Sequence, residues 1–463
     1  MKSYMEEYKS KLITAEKAAS FVKSDWIVNY ASFNLKPIEF DKALGARAGE
    51  PGLERVYVKL SHSLPPMPAV VANDPEQKTF QVGSWFFSAL DRYMADKGWM
   101  DFLPLNYHDT NSMSYWSDKS NPARRGDLWC GQVGPMDKHG NFNFGVNNID
   151  IKQKILAHKR NGGICIVEVN ESIPTCLGGW EETVHISEID YIIEGNNPPL
   201  FNVEPAEPSE NAIKIAKLIM EEIHDGCCLQ FGIGSLPNTI GAMIADSDMK
   251  DFGIQTEMFN NAMMNLYEKG KISNKYKAVD KYKSTYAFAL GNADLYEFVD
   301  NNPRLASCTV EYVNKPERIA IQPNIISVNN LLEIDLLTQA CSESVGSRTI
   351  SGSGGQLDWV HGAFDSQGGK SFLAFESTYT DKQGKLHSRI KPMLTPGAIV
   401  TTPRHSIHWV CTEYGKSNLK GLSMWERVEE MIRLAHPDFR DDLINEAEKM
   451  GIWKRTNRRP LLY

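Results

Sequence analysis

Cys227-Cys228-Leu229-Gln230-Phe231-Gly232-Ile233-Gly234-Ser235-Leu236-Pro237-Asn238 reads as a strand, a glycine turn and the opening of a helix. The first five residues form a short apolar run of strand length. Pro237 suits a first helical turn, where its missing N–H has no partner to lose. Ile240, Met243 and Ile244 then continue an apolar stripe. Such a turn aims backbone N–H groups and the helix dipole at one place, an arrangement that receives a phosphate. The turn matches neither the GxGxxG nor the GxxxxGK[ST] fingerprint. A tight turn that uses glycine only for its backbone angles is therefore the competing reading.

Working outward, Asp251-Phe252-Gly253-Ile254-Gln255-Thr256-Glu257-Met258 is a second strand-like segment, ending near a lone carboxylate, Glu257. In the first half, Glu54–Leu60 alternates polar and apolar residues and Gly162–Val169 reads as a buried strand. Helical stripes are expected over 4–22 and 86–94, and from a Ser209 cap to a stop at Gly226. Residues 103–149 are expected to be irregular, with Asp137 and Gly140 shaping a turn. Helices between β-branched runs define an α/β fold with a largely parallel sheet. Four prolines between Pro198 and Pro208 mark a linker. The expected domains are therefore 1–200 and 201–463, the second carrying Glu257 and the glycine loops.

Composition narrows the function. The 463 residues carry a net charge of -8, which disfavours a nucleic-acid partner. No run approaches the ~18 apolar residues of a membrane span. The start, Met1 to Tyr8, is polar and acidic, unlike a signal or transit peptide. Eight cysteines without a CxxC pair read as reduced core thiols of a cytoplasmic protein. His405 and His408 fall on opposite faces if their segment is a strand, and no metal site is expected. His436 is expected to close a helix.

A carboxylate such as Glu257 can attack a thioester carbonyl, form an acyl anhydride and be reopened by the released thiolate. That chemistry needs close placement and donors for the oxyanion. Ser351-Gly352-Ser353-Gly354-Gly355-Gln356 is a second glycine loop that can supply backbone donors, and Gly368-Gly369-Lys370 adds a cation. On position alone, Glu257 also fits a cap or an ion-pair partner, and the loops also fit surface turns.

Together, Gly232-Ile233-Gly234-Ser235-Leu236-Pro237, Gln255-Thr256-Glu257-Met258, Gly352-Ser353-Gly354-Gly355-Gln356-Leu357-Asp358 and Gly368-Gly369-Lys370-Ser371 resemble class I coenzyme A-transferases of the acetyl-CoA hydrolase/transferase family. Val410 to Gly415 and Ala435 to Arg440 extend the likeness, and Val133 to Gly140 matches more loosely. The resemblance implies two similar open α/β domains with the active site at their interface, and a ping-pong exchange through a glutamyl-CoA thioester on Glu257. It implies oxyanion help from Gly355, and coenzyme A contacts from Gly232, Ile233, Gly234, Ser235, Leu236, Leu332, Gly355 and Lys370. Partners would be an acyl-CoA and a small carboxylic acid, in a homo-oligomer, with no permanently bound cofactor. Acyl-CoA hydrolysis by the same Glu257, and non-catalytic acyl-CoA binding, are the alternatives. The chain departs from the family pattern at Asn260 to Asn265, at His361 and over Asn106 to Trp116. These places bear on the acyl group accepted rather than on the reaction.

Overall fold

The computed structural model describes residues 3–110, 126–204, 207–232 and 234–455. Internal contacts divide the chain into two units. Unit 1 gathers Met1–Glu204, Glu257–Asn260 and Lys283–Asn314; unit 2 gathers Pro205–Thr256, Asn261–Tyr282 and Lys315–Tyr463.

Unit 1 is built on seven strands: β1 (Ile27–Tyr30), β2 (Val56–Leu60), β3 (Phe80–Ser84), β4 (Asp101–Phe102), β5 (Leu128–Val133), β6 (Ile164–Val169) and β7 (Tyr191–Glu194). Their order is β4-β3-β2-β1-β5-β6-β7, and every pairing is parallel. Successive side chains of a strand point to opposite faces. Leu128, Cys130 and Ile166 accordingly enter one apolar cluster with Phe40 and Val58. Trp129, Cys165 and Val167 enter another with Phe142 and Ile155. With both faces covered, β5 and β6 read as apolar runs rather than alternating ones.

Glu168, only 1% exposed and next to the last residue of β6, is the charged exception, as buried Gln132 is the polar one in β5. Its carboxylate accepts the backbone N–H groups of Ile38 at 2.9 Å and of Glu39 and Phe40 at 3.0 Å. Those donors open the helix Glu39–Gly45, so a buried charge meets the positive end of a helix.

The segment 283–314 contains two parallel strands, Ser284–Ala289 and Leu305–Ser307. Ala289 N–H donates to Val146 O at 2.7 Å and Val310 N–H to Ile149 O at 2.8 Å. These long-range backbone bonds draw the segment into unit 1. A contiguous division at residue 200 contains no such return, because nothing local in 283–314 signals it.

In unit 2, β8 (Cys228–Phe231), β9 (Gly253–Phe259, whose last three residues count with unit 1), β10 (Ile325–Asn329), β11 (Lys370–Ala374), β12 (Trp409–Thr412) and β13 (Gly415–Asn418) run in the order β9-β8-β10-β11-β12-β13. All pairings are parallel except the β12–β13 edge. Leu373, Phe375, Val410, Val428 and Met431 centre its core.

Several sequence expectations shift locally. The stripe over 4–22 is two helices, Tyr4–Lys11 and Ala15–Ala19, interrupted where Ile13 N–H bonds to Ile192 O at 2.9 Å. Ser209 caps the next helix through Ala212 N–H at 3.0 Å, but that helix ends at Met220. Gly226, at φ +81°, instead shapes the turn before β8. His436 opens the helix Pro437–Lys449, its Nδ1 accepting Asp438 N–H at 3.3 Å, because Pro437 can only begin a helix. His405 lies in a turn and His408 precedes β12, so neither is on a strand. Among the described residues, no helix is long and apolar enough to cross a membrane.

Candidate active site

The first glycine loop behaves as its spacing suggests. β8 ends at Phe231, and Gly234, at φ +129° and ψ 180°, caps the helix Ser235–Asp246. That extended, positive-φ conformation belongs to glycine alone. Ile240 and Ile244 anchor the helix in the core, and the Thr239 hydroxyl donates to Ser235 O at 2.8 Å. Around the loop lies a cavity of about 190 Å³. Gly232, Gly234, Ser235 and Leu236 line it, together with Asn329, Phe375 and Glu376 from the carboxyl ends of β10 and β11. Ligands of parallel α/β sheets collect at that edge. Ile233 lies outside the described residues.

The other expected contacts sit elsewhere in unit 2. Gly355 is buried at the start of the helix Gln356–Asp365, after Gly354 at φ +54°. The Gln356 amide fixes this start by donating to the Thr402 hydroxyl at 3.0 Å. Leu332 is half-buried; its N–H donates to Cys341 O at 2.9 Å, and its carbonyl accepts from Arg389 Nη1 at 3.1 Å. Neither residue lines the glycine-loop cavity.

Lys370 is placed away from it. This lysine opens β11, level with Ile326, whereas the cavity is lined by Ala374 and Phe375 at the far end. Four residues of strand span about 13 Å. Its Nζ pairs with Glu222 at 2.6 Å, a carboxylate that Lys416 also engages. Lys370 therefore serves an ion-pair group at the amino edge of the sheet, and the structure does not bring it to the glycine loop. Sequence proximity to Gly368 and Gly369 concealed the strand direction.

Glu257 stands inside β9, two residues before its end. It is half-buried, while Thr256, Met258 and Phe259 around it are buried. Asn314, fully buried at the end of the helix Val310–Asn314, donates its Nδ2 hydrogen to Glu257 Oε2 at 2.7 Å. A charge-assisted bond of that length fixes the attitude of the carboxylate.

Tyr107 adds a feature that the sequence reading missed. Burial, and then the charges of Glu257 and Asp150, hold its phenol well above the ordinary tyrosine range, so it stays a neutral donor. Its hydroxyl is buried without a hydrogen-bond partner among the described residues. Its ring packs on Trp85 at 5.1 Å. Beyond it run stacked rings: Phe288 on Phe33 at 4.6 Å, Phe33 on His62 at 3.9 Å, His62 on Phe86 at 4.2 Å. Burial brings His62 down to about 3 and keeps the imidazole neutral. Its place just past the carboxyl end of β2 was a signal that could have found it; Tyr107 falls in the Asn106 to Trp116 stretch that bears on the acyl group, but nothing local marked its buried hydroxyl. Among the described residues, no group of three or more His, Cys, Asp or Glu side chains could hold a metal ion. All eight cysteines are free thiols, seven of them buried.

A strand-borne carboxylate, a glycine loop at a helix start and two parallel-sheet units define the class. Residues 1–204 match the acetyl-CoA hydrolase/transferase N-terminal domain and residues 291–447 the C-terminal domain of the same family. The chain belongs to the acetyl-CoA hydrolase/transferase family. Among named proteins, it is 44% identical over 456 residues to the "Probable butyrate:acetyl-CoA coenzyme A-transferase" of Syntrophomonas wolfei, covering 98% of each chain. It is 43% identical to the butyryl-CoA:acetate CoA-transferase of Anaerostipes caccae, over 98% of this chain and 100% of that one. The crystal structure of RipA from Yersinia pestis superposes with a TM-score of 0.87 at 33% identity, covering 97% of this chain and 100% of that one.

Proposed function

We propose that this chain is a CoA-transferase, moving coenzyme A from a short-chain acyl-CoA to a free carboxylate such as acetate. The observation that carries the reading is the Glu257 carboxylate, fixed by Asn314 at 2.7 Å within a strand whose other residues are buried. Full-length likeness to butyrate- and acetate-handling transferases supports the substrate class. On this reading the enzyme acts in the cytoplasm, and the acyl-CoA enters as substrate without a resident cofactor.

A Glu257 oxygen attacks the thioester carbonyl, and the carbonyl π pair moves onto oxygen. Collapse breaks the C–S bond, leaving an acyl–glutamyl anhydride and CoA thiolate. The thiolate attacks the glutamyl carbonyl and expels the first acid as its carboxylate, so Glu257 becomes a CoA thioester. A second carboxylate then reverses these steps. No proton is gained or lost, which suits a site built on placement and oxyanion donors rather than on a general acid. Gly355 N–H is the donor proposed for the oxyanion, and Gly232, Gly234, Ser235 and Leu236 the contacts for coenzyme A.

The test is the intact mass of the protein mixed with butyryl-CoA without acceptor. An adduct of coenzyme A size, labile to hydroxylamine and mapping to Glu257, supports the transferase. Steady release of free coenzyme A without an adduct would favour hydrolysis by the same residue. Neither product with any short acyl-CoA would favour a protein that only binds.

A further inference from the structure

Unit 1 contains a cavity of its own, lined by none of the glycine-loop residues. It measures about 280 Å³; Phe33, Leu64, Pro66, Leu200 and Phe201 form its apolar wall, and Lys36 lines it with the amides of Asn34, Gln132, Asn170 and Asn202. Lys36 is only 5% exposed. Its Nζ donates to Leu64 O at 2.8 Å and to Pro66 O at 2.5 Å. An ammonium group has three N–H donors, so two carbonyls leave one.

The neighbouring amides do not answer it. Gln132 Nε2 donates to Lys36 O at 2.8 Å, and Asn170 Nδ2 donates to Gln132 Oε1 at 2.8 Å and to Pro198 O at 3.0 Å. Among the described residues, no carboxylate pairs with Lys36 within 4 Å. A buried cation with an unused donor beside an apolar hollow lacks one thing, an anion with an apolar tail.

We propose that this cavity binds a short-chain aliphatic monocarboxylate, with its carboxylate on Lys36 Nζ and its alkyl chain against Leu64, Leu200 and Phe201. A single cation in the lining suits a monoanion better than a phosphate, which would bury a second charge unmatched. Burial brings Lys36 down to about 8, against the supporting charges of Asp41 on the helix Glu39–Gly45 and Asp91 on the helix Ala89–Asp96. A bound carboxylate offsets that burial, and its affinity falls as pH rises past the point where the amine loses its proton.

The experiment is calorimetric titration of butyrate into the full-length protein without coenzyme A. Saturable binding is expected in the wild type and in Glu257→Gln, at least tenfold weaker in Lys36→Met, and weaker at pH 9 than at pH 7. Butyramide, which has the same shape without the charge, is expected to bind the wild type at least tenfold more weakly than butyrate. This comparison stands even if Lys36→Met fails to fold. The proposal is overturned if the wild type shows no saturable binding, if butyramide matches butyrate, or if a folded Lys36→Met keeps wild-type affinity. It is equally overturned if Glu257→Gln abolishes binding, which would place the acid at Glu257 instead. Because no acyl-CoA is present, the outcome does not depend on whether Glu257 forms a thioester.

Discussion

Glu257→Asp isolates the role of position, since charge and chemistry are retained. Removing one methylene withdraws the carboxylate by about 1.5 Å, the length of a carbon–carbon bond. The backbone cannot follow, because Thr256, Met258 and Phe259 are buried on both sides and β9 is hydrogen-bonded into its sheet. The 2.7 Å bond to Asn314 therefore opens to about 4 Å, beyond hydrogen-bond range. The attacking oxygen leaves the ~3–3.5 Å reach of a near-attack geometry, and a 1 Å misplacement is itself enough to cost about 10²-fold. The expected result is an acyl-exchange rate at least ~10²-fold below wild type, with coenzyme A still bound at the glycine loop. The assay follows transfer from butyryl-CoA to labelled acetate, with intact mass to count thioester adducts. A Glu257→Asp enzyme within threefold of the wild-type rate would refute the placement argument, because only a mobile or non-participating carboxylate tolerates the shift.

Other perturbations test the frame around this site. Glu257→Gln keeps the shape and a neutral bond to Asn314, so turnover and adduct should vanish while the unfolding free energy from urea titration stays within about 1 kcal/mol of wild type. Glu168→Ala strands the three N–H groups of Ile38, Glu39 and Phe40, at a cost of about 3–5 kcal/mol by urea unfolding, whereas Glu168→Gln should lose less. Gly234→Ala meets no atom within 4 Å but must hold φ +129°, so about 1–3 kcal/mol of backbone strain should appear as lower stability and a raised KM for acyl-CoA. His158 is buried, bonded to Asn29 at 2.9 Å and to Lys154 O at 2.7 Å, and burial brings it down to about 4. The unfolded chain then takes up its proton first as pH falls. The contribution of His158 is present above pH ~6.5 and lost as pH falls through about 4, a change of about 3 kcal/mol. His158→Gln should flatten that part of the difference between urea midpoints at pH 7.5 and 4.5, and an unchanged slope would refute it.

Local patterns alone determined the elements of this protein. Cys228–Phe231, the Gly234 turn and the stripe of Ile240 and Ile244 are legible because strand period, glycine and helix period are properties of neighbouring residues. Glu257 was legible as a lone carboxylate on an apolar strand, and the parallel class followed from helices recurring between apolar strands. Tertiary structure decided what depends on partners far away in sequence. The return of 283–314 to unit 1 rests on backbone bonds to Val146 and Ile149, and the hold on Glu257 on Asn314. The distance of Lys370 from the glycine loop rests on strand direction, which residue spacing does not encode. The unused donor of Lys36 exists only because Leu64 and Pro66 fold over it. Turns and periods are written in nearest neighbours, but the environment of a charge is written by whichever distant residues exclude water from it.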